Sequence, residues 1–173
     1  MTAATNSTGK DAPGWTLRRA GAEDAETIAT LLAEMSDALG VTGFAGSDAE
    51  TLRRHGFGPA PLFHVTLAES RGAALGLVLY FPAFSTWRGR PGVYVQDLYV
   101  QLEARGTGLG RDLLAAAARH GSQAWNAAFL SLTAHESNSR ALAFYAKLGF
   151  DTHPGERPHL IHGPAFRRLG GDA

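Results

Sequence analysis

The 173-residue chain reads as a mixed α/β domain built on a single sheet, and three observations lead there. Val93-Tyr94-Val95-Gln96-Asp97-Leu98-Tyr99-Val100 is rich in valine and tyrosine and apolar on both faces, the pattern of a strand buried from both sides. Beyond Gly110 the period changes: Leu109, Leu113, Leu114 and Ala117 recur at helical spacing, with Asp112 in the first turn and His120-Gly121 as the stop. Between the two lies a glycine-punctuated turn, Arg105-Gly106-Thr107-Gly108-Leu109-Gly110.

The remaining elements follow in chain order. Met1 to about Gly14 is small and polar and reads as a disordered tail, which leaves 15–173 as the domain. Trp15-Thr16-Leu17-Arg18-Arg19 alternates as a short strand. Glu23-Asp24 open an amphipathic helix carrying Ile28, Leu31, Leu32 and Met35, which ends near Gly40. A short helix is expected around Asp48–Arg54, then a turn at Gly56-Phe57-Gly58-Pro59. Leu62–Leu67 and Ala74–Phe81 are strands joined by Ser70-Arg71-Gly72. Pro82–Pro91 is expected to be a loop leading into the central strand. Phe129–Thr133 is the next strand, Ser139–Leu148 the next helix, and a last strand is expected near His159–His162.

Composition removes several function classes. Formal net charge is zero, so nothing favours electrostatic binding to nucleic acid or to an anionic membrane. The absence of cysteine excludes disulfides, cysteine nucleophiles and thiolate metal sites, and fits a cytoplasmic location. No apolar run of about 18 residues occurs, so no membrane span is expected. Residues 1–14 lack the apolar core of a signal peptide. His159 and His162 alternate near the C-terminus with no third ligand at regular spacing, so no metal site is expected.

A strand, a glycine turn and a helix N-terminus together form an anion site. Free backbone N–H groups and the positive end of the helix dipole face one point, and glycine lets the backbone approach a phosphate closely. Arg105 and Arg111 add positive charge beside it, so the loop reads as a pyrophosphate cradle. It is not a Walker loop, because no lysine follows the glycines. Nor is it the dinucleotide fingerprint, because the glycines fall at 106, 108 and 110.

A second block is Asn138-Ser139-Arg140-Ala141-Leu142-Ala143-Phe144-Tyr145-Ala146-Lys147-Leu148-Gly149-Phe150. Helical spacing puts Ala141, Phe144, Tyr145 and Leu148 on one side, and Gly149 closes the helix. Arg105-x-x-Gly108-x-Gly110 resembles the acetyl-CoA signature of the GCN5-related N-acetyltransferases (GNAT). The Asn138–Phe150 block resembles the second motif of the same superfamily, in the right order and one strand later. Upstream, Gly56-Phe57-Gly58, Pro61, Phe63-His64, Ala68-Glu69, Trp87-x-Gly89 and Val95–Val100 resemble the spermidine/spermine (diamine) N-acetyltransferase branch.

The resemblance implies a single central, mostly antiparallel sheet with a splayed parallel strand pair, flanked by helices. It implies acetyl-CoA as cosubstrate and direct acetyl transfer to a primary amine in a ternary complex. By position, Leu98, Tyr99 and Val100 are implied to bind the pantetheine arm, one of their N–H groups stabilising the developing oxyanion. Gly106, Thr107, Gly108, Leu109 and Gly110, with Arg105 and Arg111, are implied to hold the pyrophosphate. Asn138, Ser139, Arg140, Ala141 and Phe144 are implied to contact the cofactor, and Tyr145 to protonate the leaving thiolate. A homodimer is also implied.

Asp97 is the one acid in its strand, and a buried carboxylate needs a partner, here the substrate ammonium or a water that removes its proton. His135 and Glu136 read as exposed loop residues. The branch carries Glu where this chain has Gln96, and a Tyr-Glu pair where it has Ala38-Leu39. Arg53-Arg54-His55 adds positive charge upstream. Of the two acceptor classes, polyamine or lysine-like amine, fewer carboxylates disfavour the polyamine, so the expected acceptor is a smaller amine that places one ammonium near Asp97 and a carboxylate or polar tail elsewhere, such as a lysine-like amino acid. The alternative function is a non-catalytic acyl-CoA-binding sensor or interaction domain of the same fold.

Overall fold

A computed structural model describes residues 14–41, 47–152 and 159–170; of the tail expected over residues 1–14, only Gly14 lies within them. The chain divides into two compact units, one ending at Thr133 and one starting at Ala134.

The first unit is a five-stranded sheet in the order β1 (Thr16–Arg19), β2 (His64–Ser70), β3 (Ala73–Ser85), β4 (Arg90–Val100), β5 (Leu130–Leu132). The first three junctions are antiparallel and β4–β5 is parallel. The β2–β3 hairpin closes in two residues, Arg71 and Gly72, both at positive φ (51° and 81°), which matches the twist of the strands it joins. The expected loop over Pro82–Pro91 is instead mostly strand: β3 runs to Ser85, paired with Arg90. β2 ends at His64 opposite Tyr80, so Pro82 lies where β3 has an open edge and a missing N–H breaks no inner ladder.

α1 (Ala25–Leu39) and α2 (Ala49–Gly56) cover one face of the sheet. Ile28, Leu31 and Leu52 pack there on Val65, Leu67, Leu77, Leu79 and Tyr99. Gly40 closes α1 in the left-handed conformation, and the Asp48 carboxylate caps α2 by accepting from the Thr51 N–H at 2.7 Å. α3 (Leu109–Trp125) covers the other face through Leu109, Leu113, Leu114 and Ala117. It does not stop at His120-Gly121 as expected, but continues to Trp125 and ends on Asn126 in the left-handed region. Gly121 is interior because a Cβ there would run into the Val93 side chain.

On that face Arg19 of β1 donates to two imidazoles at once, His64 Nδ1 of β2 at 2.9 Å and His120 Nε2 of α3. Trp125 stacks on His64, and the Tyr80 ring adjoins both His120 and Trp125. Each imidazole accepts a hydrogen bond from the same guanidinium through an unprotonated ring nitrogen, so both are neutral. Burial, then the Arg19 charge, lowers both; His64 is held down to about 4. Between pH about 6.5 and about 4 the unfolded chain therefore binds a proton at His64 that the folded chain does not. Stability is lost as pH falls through that window. Urea denaturation over a pH series should show a shallower slope in His64→Gln than in wild type, and identical slopes would contradict the pairing.

The second unit holds α4 (Ser139–Lys147) and α5 (Gly163–Leu169). The strand expected near His159–His162 is absent: these residues form no strand pairing among the described residues, and His162, in extended conformation, precedes α5, whose first turn contains Pro164.

Candidate functional site

β4 organises the first unit's site. Leu79 pairs with Asp97 but Tyr80 pairs with Val95, so Gln96 is an extra residue, a β-bulge. The bulge switches the side-chain alternation. Without it, Val93, Val95, Asp97 and Tyr99 would all share one face. With it, Val93 lies against α3 while Tyr99 packs under α1, and Gln96 and Asp97 both open on the α1 side. They line a cavity of about 350 Å³ whose walls include Leu32, Leu52, Phe63, Leu79 and Phe81.

The Asp97 carboxylate has no hydrogen-bond or ion-pair partner among the described residues, and burial pushes it up to about 6. An unpartnered carboxylate half-buried in an apolar cavity is a site for an ammonium. Arg53 pairs with Glu26 and Arg54 with Glu50, and neither lines the cavity, so the upstream positive charge is compensated on the surface. Ala38 and Leu39 are exposed on the last turn of α1.

Among the described residues β4 has no strand partner on its β5 side past Val95, because the parallel ladder covers Val93–Val95 against Leu130–Leu132. Backbone groups alternate sides along a strand. Gln101 N–H donates to Leu75 O at 2.9 Å on the β3 side, and Val100 C=O accepts from Arg105 Nε at 2.8 Å on the other. The N–H groups of Leu98 and Val100 therefore face the open edge. Tyr99 differs from expectation: its backbone belongs to the β3 side and its side chain to the core.

The loop follows at once. Gly106 and Gly108 have φ of 80° and 99°, a region that disfavours side chains. The Thr107 hydroxyl donates to Ala104 O at 2.7 Å and fixes the turn. None of the backbone N–H groups of residues 106–111 donates to an acceptor among the described residues. That bundle of free N–H groups at the start of α3 is an anion cradle. The two arginines do not simply add charge to it. Arg105 is turned back onto Val100 O and the Tyr99 ring, and Arg111 pairs with Asp112 at 2.9 Å. Leu109 is buried and Gly110 half-buried, so what both present at the loop is backbone.

In the second unit, Asn138 caps α4, its Oδ1 accepting from Ala141 N–H at 3.0 Å. Ser139 and Arg140 are exposed, and Ala141, Phe144 and Tyr145 are half-buried. The Tyr145 ring adjoins Phe144 at 5.3 Å and Phe150 at 5.4 Å, and burial raises its phenol, so it is a proton donor at neutral pH. His135 and Glu136 are exposed, as expected. Among the described residues no group of three or more His, Asp or Glu could hold a metal, and no helix is long and apolar enough to cross a membrane.

The bulge and the cavity walls went unread in the sequence. The one available signal was two adjacent polar residues, Gln96 and Asp97, in an otherwise apolar strand.

The sequence model of the acetyltransferase (GNAT) family matches residues 29–150. A thialysine N-epsilon-acetyltransferase of Bos taurus is 31% identical over 166 residues, covering 90% of this chain and 96% of that protein. The human spermidine/spermine N(1)-acetyltransferase-like protein 1 is 30% identical over 105 residues, 57% of this chain and 15% of that one. Among solved structures, an integron cassette protein from the mobile metagenome of V. cholerae has a TM-score of 0.74 at 20% identity. It covers 91% of this chain and 98% of its own, a likeness of fold.

Proposed function

The chain belongs to the acetyltransferase (GNAT) family and is an acyltransferase enzyme acting on amines, and we propose that it acetylates the primary amine of a small, lysine-like molecule, using acetyl-CoA. The observation that carries this reading is the sequence of features along β4. An unpartnered carboxylate in an apolar cavity is followed by two free strand N–H groups and then by a glycine cradle.

Acetyl-CoA supplies the activated acetyl group. The free N–H groups of residues 106–111 suit its pyrophosphate, and the glycines leave room for it. The open edge at Leu98 and Val100 suits the pantetheine arm and offers a donor to a developing oxyanion. Asp97 attracts the ammonium and takes its proton, directly or through water. Tyr145 Oη holds the proton that the departing sulfur needs.

The choice of amine rests on the cavity. Its walls are largely apolar, and Asp97 is the only carboxylate lining it among the described residues, because Gln96 stands beside it. A single ammonium on an aliphatic stem matches that lining better than a polyamine, whose further charges would be left unpaired. The bovine relative named for thialysine supports the same class.

The ratio of kcat/KM for wild type to that for Asp97→Asn tests the role of Asp97, because it cancels the amine's own titration. Above pH about 6 the ratio should be ~100-fold or more, and it should fall as pH drops through about 6. A ratio near one, or one flat from pH 5 to 8, would remove Asp97 from the mechanism.

A further inference from the structure

We propose that Glu34 of α1 is a positioning residue that holds the phosphate-binding loop in its anion-receiving conformation. This rests on the cosubstrate reading above. Glu34 lies on the helix that walls the amine cavity, two residues beyond Leu32. Its carboxylate accepts from Gln101 Nε2, at 3.2 Å through Oε2 and 3.4 Å through Oε1. Gln101 is the first residue past β4, and its own N–H is spent on Leu75 O. Burial raises the Tyr99 phenol, the Glu34 charge raises it further, and the Arg105 charge opposes that rise.

Arg105 completes the chain of contacts. Its Cζ lies 5.7 Å from the Tyr99 ring centroid, its Nε donates to Val100 O, and its N–H donates to Leu102 O at 3.2 Å. Among the described residues no carboxylate forms an ion pair with Arg105, so its place is set by Val100 O, Leu102 O and the Tyr99 ring. The next residue, Gly106, turns the backbone through φ 80°. The orientation of every free N–H from 106 onward therefore depends on where Arg105 is held. Glu34 and Gln101 fix the end of β4 to α1, and Arg105, held on the Tyr99 ring and Val100 O, fixes the start of the turn.

The test is CoA calorimetry together with steady-state kinetics on Glu34→Ala and Glu34→Gln. Glu34→Ala should raise the Kd for CoA and the KM for acetyl-CoA ~10-fold. kcat at saturating acetyl-CoA and the KM for the amine should stay within about twofold. Glu34→Gln keeps an oxygen for Gln101 but loses the charge, so it should fall between Glu34→Ala and wild type. An unchanged CoA affinity in both variants overturns the proposal. So does a parallel loss of kcat and melting temperature without a change in KM, the mark of a merely structural residue. If Glu34→Ala does not fold, Glu34→Gln carries the comparison alone. A wild type that binds no CoA overturns the cosubstrate reading itself, and this proposal with it.

Discussion

Gly108→Val should weaken CoA binding by about 100-fold or more in a protein that still folds. Gly108 sits at φ 99°, and a Cβ placed on it meets nothing in the protein nearer than Arg111 Nη2 at 3.9 Å. That open space adjoins a loop whose N–H groups have no acceptor among the described residues. Two effects then act together: the side chain excludes the phosphate, and valine resists the backbone angle that aligns the donors. Losing two charge-assisted hydrogen bonds of ~1.5–3 kcal/mol each is enough for the stated loss. The backbone strain of ~1–3 kcal/mol falls on an exposed loop rather than on the core. Circular dichroism would establish that the variant folds, and calorimetry with CoA would measure the loss. A folded variant with unchanged affinity would show that the loop is not the cradle.

Tyr145→Phe should lower kcat by ~100- to 10,000-fold with a much smaller change in the Kd for CoA. The substitution removes one oxygen and keeps the ring, so the packing against Phe144 and Phe150 is retained. Burial already holds the phenol in its protonated form, so the wild type has a donor throughout the neutral range. Stopped-flow acetyl transfer at saturating substrates reads the effect directly. Full activity from pH 6 to 9 would make the phenol structural only.

What was legible in the sequence is what local chemistry dictates. Gly106 and Gly108 could be singled out because glycine lets a backbone approach a phosphate, and Asn138 because it opens a contiguous motif; the structure adds their positive φ and its helix cap. The helix at Ala25–Leu39 was legible from its apolar spacing and its closing glycine. The family and its diamine-acetyltransferase branch could be recognised for the same reason, since their motifs are contiguous segments.

What was not legible depends on partners distant in the chain. Pro82 looked like a strand breaker, and only the ending of β2 opposite Tyr80 makes it harmless. Gly121 looked like a helix stop, and only Val93 on a neighbouring strand explains it as a close approach. The bulge at Gln96 is a mismatch of register between β3 and β4, invisible in either strand alone, yet it brings Asp97 to the cavity beneath α1. Arg53 and Arg54 counted as free charge until their partners Glu26 and Glu50 were seen. Glu34 carried no signal at all, because its contacts lie about 67 residues away, at Gln101.

The most direct test of the central claim is the release of free thiol from acetyl-CoA by the wild-type protein with a panel of amines: thialysine, lysine, spermidine and an aminoglycoside. The account predicts amine-dependent thiol release, with kcat/KM for a lysine-like amine above that for spermidine. Tight CoA binding with no thiol release from any primary amine would contradict it and favour a non-catalytic acyl-CoA sensor. A strong preference for spermidine would leave the acetyltransferase standing but refute the reading of Gln96 and Asp97 as a site for a single ammonium.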